Sequence, residues 1–345
     1  MQEMVLDMGA KLFAEHADAS FAAHPDDVTE GAVAWLAELW DQVEELGLPL
    51  ALPTEVQGGF ELPPTTALGL VRLAATQAIP LPLGETMIAN WLLAHAGLPP
   101  AEGPASLALG PTLDGDRLTG TAARVAFGRH AQTVVLLVGD RLVRATGATV
   151  TDHSHNIAGE PRDTLEWTRA VETAPASVDE QTFRLLGATL RSQAIAGSLD
   201  AALSMTVAYA NERQQFGRPI GRFQAIQQNM AVMATHVAAA GAAADMATDL
   251  LPDALVGTGA FSAAAMAAKI RTGEAAGTSA PIAHQTHGAI GYTSEYRLHP
   301  LTRRLWSWRD EWGREAEWSD ALGKRVCTLG PDDFWPFLTR MGALA

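Results

Sequence analysis

The sequence predicts a mostly helical α+β protein: a helical N-terminal domain over residues 1–103, a small β-domain over 104–176 and a C-terminal four-helix bundle over 177–345. Three observations carry this. Alanine and leucine fill long runs toward both ends of the chain, and both residues favour helix. Between those ends lie short β-branched runs split by Asp-Gly and Gly-Asp turns, the texture of strands and hairpins. The last half then holds four helical stretches with short connections, which imply an antiparallel bundle.

In the first domain Met4, Met8, Leu12 and Phe13 recur at helical spacing, Val33 to Leu46 is a second amphipathic run, and Thr65 to Ala75 a third. Pro53-Thr-Glu-Val-Gln-Gly-Gly59 is the intervening loop, because adjacent glycines and a proline interrupt any regular element. Strands are expected at Leu118 to Val125, Thr133 to Val138 and Arg141 to Ala145. Asp152-His-Ser-His155 would place two imidazoles on one face of a strand, where they could chelate a metal. No third ligand accompanies them, so the pair reads as a solvated strand end and no metal is expected.

Ser177-Val-Asp-Glu180 reads as a capping box, the serine accepting from the third helical residue while the glutamate reaches back. The helix it opens carries a stripe of Phe183, Leu186, Leu190, Ala194, Gly197, Ala201 and Met205. Phe223, Ile226, Met230, Met233 and Val237 stripe a second helix, Ala260 to Gly277 gives a third, and a fourth lies between Leu301 and Cys327 with Trp306, Trp308, Trp312 and Trp318 crowded on it. Those tryptophans read as core or subunit contact. Gly257-Thr-Gly-Ala-Phe-Ser is no dinucleotide fingerprint, because no strand precedes it. Gly-x-Ser-x-Gly and Walker motifs are absent from the sequence.

A net charge of −15 argues against nucleic-acid binding. The basic run Arg303, Arg304, Arg309 either binds a small anion or pairs with Asp310 and Glu311. A single cysteine, Cys327, near the end of the last helix, rules out an internal disulfide. We find no charge-free apolar run of the roughly 18 residues that a membrane span needs. The opening Met1-Gln-Glu carries acid where a signal peptide carries base, so the expected location is the cytoplasm.

Between the first two bundle helices lies Asn211-Glu-Arg-Gln-Gln-Phe-Gly-Arg-Pro-Ile-Gly-Arg-Phe-Gln224. Gly217 and Pro219 are expected to stop the first helix and to leave Arg213 in its last turn. There a guanidinium either complements the helix dipole or offers a fork of donors to a phosphate or carboxylate. Together with Gln285-Thr-His-Gly-Ala-Ile-Gly-Tyr-Thr-Ser-Glu-Tyr296, this segment resembles the C-terminal signature of the acyl-CoA dehydrogenase flavoprotein family. The order of helical, strand-rich and helical segments is similar too.

The resemblance implies flavin adenine dinucleotide (FAD) as cofactor and an acyl-CoA thioester as substrate. It also implies contacts that cross a subunit interface: Arg213 on the pyrophosphate, Phe216 on the adenosine side, Gln224 and Gln285 on the nucleotide half, and Gly288 and Ala289 allowing close backbone approach. In the family a carboxylate removes the α-proton, the β-hydrogen leaves as hydride to the flavin, and an electron-transfer flavoprotein takes the electrons.

Two departures stand out. The positions where family members keep the base fall on Gly187, flanked by Leu186 and Ala188, and on Trp312; Glu311, one residue away, is the candidate, its alternative being a solvated carboxylate paired with Arg309 or Arg314. The loop between Leu107 and Leu118 is short, and Ala126 and Phe127 stand where ring-side Trp and Ser/Thr are expected. Retained cross-subunit motifs with lost ring-side motifs resemble the shorter subunit of α2β2 enzymes acting on steroid-type CoA esters, with the base on the partner. A self-sufficient homo-oligomer using Glu311 and a flavin-free scaffold are the alternatives, and the acyl chain stays open.

Overall fold

The computed structural model describes residues 2–26, 31–257 and 259–340. It is mostly helical with its longer strands confined to one central stretch, as the sequence predicts, and it adds a short hairpin that the sequence reading did not foresee. By contact the chain forms two compact units, one of Met1–Met8, Asp18–Gly69 and Pro80–Gly187, the other of Gly9–Ala17, Leu70–Ile79 and Ala188–Ala345.

Helices α1 (Gln2–Glu15), α2 (Ala17–Ala22), α3 (Ala37–Glu45), α4 (Pro64–Thr76) and α5 (Leu83–His95) precede the strands. Sequence reading passes over α5, because Leu83 to Leu93 is buried without a break and so shows no stripe. Its polar groups are partnered: Thr86 Oγ1 accepts from the Ala105 amide at 3.0 Å, and Asn90 accepts from Ala101 and donates to the Pro49 carbonyl. The helix expected from Val33 begins only at Ala37. Val33 instead donates its amide to the Gly159 carbonyl at 2.7 Å and is buried with Ala126 and Phe127.

Strands β1 (Ala105–Ala108), β4 (Thr133–Val138), β5 (Arg141–Thr146) and β8 (Glu172–Pro175) form one sheet in the order β1-β4-β5-β8, with β1 parallel to β4. Strands β2 (Thr112–Asp114), β3 (Arg117–Ala126), β7 (Arg162–Ala170) and β6 (Thr149–Asp152) form an antiparallel second sheet in the order β2-β3-β7-β6. Leu118, Val125, Leu165 and Trp167 from one sheet meet Val134, Leu136 and Val143 from the other in a single apolar core. A bulge between Ala122 and Val125, where Arg124 has φ 59°, bends β3.

Helix α6 (Glu180–Glu212) is capped by Asp179, whose carboxylate takes the Thr182 amide at 2.7 Å. Ser177 lies two residues too early for that role, so the expected capping box does not form. Rather than one stripe, α6 buries every residue from Leu185 to Leu199. Gly197 is required there, since a Cβ would sit 2.1 Å from the Arg72 carbonyl oxygen. Arg72 itself pairs with Asp200 and Asp245.

Helices α7 (Gln224–Asp249) and α8 (Ala260–His287) pack on each other and both bury small residues, Ala240, Ala244 and Ala247 on α7 and an alanine series on α8, while Gly241 makes room for the Arg72 guanidinium. Contrary to expectation, α7 is long and apolar enough to cross a bilayer by length and composition. Of that apolar window, 33% is buried within the chain. The expected fourth helix is two, α9 (Leu298–Trp308) and α10 (Glu315–Thr328), broken where Trp312 and Gly313 take φ 58° and 98°. Buried Lys269 of α8 fixes the break by donating to the carbonyls of Arg309 and Gly313 at 2.7 and 2.9 Å. A further helix, α11 (Pro331–Arg340), follows, so exposed Cys327 is not on the last one.

Candidate cofactor-binding edge of the helical unit

Helix α6 ends at Glu212, so Arg213 sits just past the last turn, its amide still bonded to the Tyr209 carbonyl at 2.8 Å. A small hairpin follows, with β9 (Gln214–Gln215) opposite β10 (Arg218–Pro219) and Gln215 paired with Arg218. Phe216 and Gly217 are therefore a two-residue turn with φ 51° and 77°, the mirror-image type that suits a hairpin. Gly217 serves this turn rather than the helix end. Phe216 occupies the left-handed region that bulky residues avoid, and its side chain is 92% exposed.

The hairpin is pinned at its base by the Ile220 amide on the Arg213 carbonyl at 2.8 Å. Phe223 braces it: the Phe216 ring meets its edge at 6.1 Å, and the Arg218 guanidinium covers its face at 4.3 Å. Gln224 is the exposed first residue of α7. Arg213 is exposed and makes no ion pair among the described residues. Arg213, Phe216 and Gln224 thus belong to one local structure.

Gln285, Gly288 and Ala289 are exposed at the end of α8, and Gly288 takes φ 67° with open space where a Cβ would point. Sequence reading assigned nothing to the two histidines beside them. His287 is buried, donates Nδ1–H to the Ala283 carbonyl at 2.8 Å and stacks on Tyr209 with ring centroids 4.5 Å apart; Tyr296 lies against it at 5.2 Å. His284 stacks on Tyr292 at 4.4 Å and on Trp306 at 5.6 Å, with Nε2 3.0 Å from the Thr302 hydroxyl. Burial lowers the pKa of both imidazoles from 6.5, which keeps them neutral near pH 7. The Tyr209–His287 stack joins the two motifs, since Tyr209 lies one turn before Arg213. An i, i+3 histidine pair followed by Tyr292 and Tyr296 was the available signal.

Glu311 lies elsewhere. It is mostly buried and accepts from the buried Arg191 Nε at 2.6 Å, and the Arg191 guanidinium sits 5.8 Å from the Trp308 ring centroid. Arg191 within α6 and Arg213 just past its end are 22 positions apart, roughly 33 Å along the helix axis. The expected pairing of Glu311 with Arg309 or Arg314 is not what forms: Arg309 takes Glu315 at 2.8 Å and Arg314 takes Asp310 at 3.3 Å. Arg304 of the basic run is fully buried against Trp308. Beside this network, burial pulls the Lys269 pKa down to about 8, against the opposing pull of Glu315 and Glu311.

In the strand-rich unit, Ala126 and Phe127 are buried under Val33, with Trp35 packed on the same cluster and stacked on His130 at 4.5 Å. Phe127 is held at φ 51°, and the Arg162 guanidinium, paired with buried Glu160 at 2.9 Å, lies 5.8 Å from its ring centroid. The chain itself therefore fills this position. His153, exposed and 3.9 Å from Asp163, and His155 both lie beyond the end of β6.

The family described as acyl-CoA dehydrogenase, C-terminal domain, matches residues 187–309, which include both motifs. Over 312 residues the chain is 30% identical to acyl-CoA dehydrogenase IpdE2 of Mycobacterium tuberculosis, covering 88% of this chain and 90% of that one. Among solved structures, the ChsE4–ChsE5 complex from Mycobacterium tuberculosis has a chain that superposes with a TM-score of 0.81 at 19% identity, covering 95% of this chain and 98% of that one. A variant of the Tcur3481–Tcur3483 steroid ACAD superposes with a TM-score of 0.79 at 21% identity, covering 94% and 97%. The chain belongs to the acyl-CoA dehydrogenase family, whose cofactor is FAD.

Proposed function

We propose that this chain is one subunit of a heteromeric acyl-CoA dehydrogenase, lending contacts for the nucleotide half of FAD to a partner subunit that carries the flavin ring and the catalytic base. One observation carries this reading. The helical unit presents exposed donors at Arg213, Gln224 and Gln285 with open space at Gly288, whereas the Ala126–Phe127 face is filled by Val33 and Trp35. The first set fits a nucleotide; the second leaves this chain no ring-side surface of its own.

Within that reading, Arg213 holds the pyrophosphate with paired, charge-assisted hydrogen bonds. Phe216, displayed at the hairpin tip, packs on the adenosine side. Gln224 and Gln285 orient the nucleotide by hydrogen bonds, and Gly288 and Ala289 admit it closely. Bound FAD supplies the two-electron acceptor for the β-hydrogen of an acyl-CoA, and an electron-transfer flavoprotein reoxidises the complex. The base belongs to the partner, because the carboxylate of Glu311 is held by the buried Arg191. Likeness to the steroid ACAD supports a bulky, steroid-type acyl group.

The test is to purify the chain alone and co-expressed with an acyl-CoA dehydrogenase-like partner, then to measure flavin by its visible absorption and turnover with an acyl-CoA. Flavin and activity are expected only in the assembled pair. Stoichiometric flavin with activity in the lone chain would reject the proposal, as would an assembled active pair whose flavin content ignores Arg213.

A further inference from the structure

The two cofactor motifs lie more than seventy residues apart in sequence, and a working nucleotide site needs them at a fixed separation. Hydrogen bonds fix each motif internally: the Ile220 amide donates to the Arg213 carbonyl in the hairpin, and His287 Nδ1–H to the Ala283 carbonyl in α8. Neither bond ties one motif to the other. That contact is made by rings: Tyr209 of α6 stacks on His287 of α8 at 4.5 Å with their planes 29° apart, while Tyr296 closes on the same imidazole at 5.2 Å.

From this geometry we infer that His287 is a positioning residue, the wedge that sets the spacing between the Arg213 hairpin and the Gln285–Ala289 turn. The inference rests on the proposed cofactor reading for its functional half and on geometry alone for its structural half. Three features support it. His287 is nearly fully buried, so its ring is not held for solvent or substrate. With Nδ1–H committed to Ala283, the ring is fixed in rotation, and Nε2 is left as a buried acceptor with no partner among the described residues. Finally, Tyr209 is one turn from Arg213 and His287 is two residues from Gln285, so a shift at the stack moves both motifs.

The experiment has two arms, each run on His287→Ala, His287→Phe and Tyr209→Leu. The first follows amide hydrogen exchange in the chain, with no cofactor needed. His287→Ala is expected to speed exchange at Arg213 and Ile220 by about tenfold, the size of one lost aromatic pair, without changing strands β4 and β5. His287→Phe, which keeps a flat ring, restores most of the protection. Tyr209→Leu, at a half-buried position, reproduces the His287→Ala effect should the latter fold poorly.

The second arm measures FAD affinity of the assembled oligomer, with Arg213→Ala as control. A loss of about tenfold in His287→Ala, rescued by His287→Phe, supports the inference. Unchanged exchange at Arg213 and Ile220 overturns its structural half. Unchanged FAD affinity in His287→Ala, where Arg213→Ala loses it, overturns its functional half. Unchanged affinity in both variants rejects the cofactor reading instead, and the exchange arm still decides the coupling.

Discussion

Two arginines, one within helix α6 and one just past its end, meet opposite fates. Arg191 is buried, bonded to Glu311 and set against Trp308, whereas Arg213, twenty-two positions on, is exposed and makes no ion pair among the described residues. Side-chain chemistry is the same, so the difference comes from where each residue sits and what it faces. A guanidinium matched inside the fold has nothing left to offer a ligand. One presented at a helix end beside a strained hairpin, with its donors uncommitted, is available for a phosphate supplied from outside.

The largest effect should come from the buried member. Arg191→Ala takes the close guanidinium contact from the Glu311 carboxylate, and removing one partner of a largely buried pair costs about 3–5 kcal/mol. Urea denaturation should show that loss, while FAD affinity of whatever assembles stays near wild type. A large loss of affinity without a loss of stability would break the contrast.

Arg213→Ala should do the reverse. Truncating a desolvated charge contact costs about 2–5 kcal/mol, so FAD affinity of the assembled oligomer falls about 30-fold or more. Stability should change by no more than the roughly 0.3–1 kcal/mol of a helix-end charge. Arg213→Lys keeps the charge and loses the fork, so its affinity should lie between the two, as titration with FAD would show. Wild-type affinity in Arg213→Ala would remove the assignment and its neighbours with it.

The smallest effect concerns pH and the histidines behind Arg213. Burial lowers the pKa of His284 and His287 in the fold below the ordinary 6.5, so the unfolded chain binds protons more readily. Their contribution to stability is complete above pH 6.5 and is lost as pH falls toward the lowered values. Thermal midpoints measured from pH 7.5 to 5.5 should fall, and fall less steeply in the His284→Phe, His287→Phe double variant. An equal slope in both proteins would mean that other groups govern this window.

Much of the fold was legible because it is periodic. Thr133 to Val138 is a strand as expected, and the order of bundle helices follows from stripes and turn residues. Helix α5 was not legible, since burial on every side erases the stripe that marks a helix. Nor was the break at Trp312 and Gly313, which Lys269 holds from forty residues away. Arg213, Gln224 and Gln285 were reached through resemblance, and their exposure agrees with a role outside the chain's own core. The Arg191–Glu311 pair and the Tyr209–His287 stack join residues 120 and 78 positions apart, so neither local spacing nor composition could announce them.

The hairpin turn at Phe216 also bears on how this protein trades robustness against use. An aromatic residue in the left-handed region carries a backbone penalty of about 1–3 kcal/mol, and here its ring gains little burial in return. Asparagine or glycine would fill the same turn at lower cost. Phe216→Asn should therefore raise the melting temperature and solubility of the isolated chain while weakening whatever docks on the hairpin, a substitution that stability screening would favour and selection for activity would not.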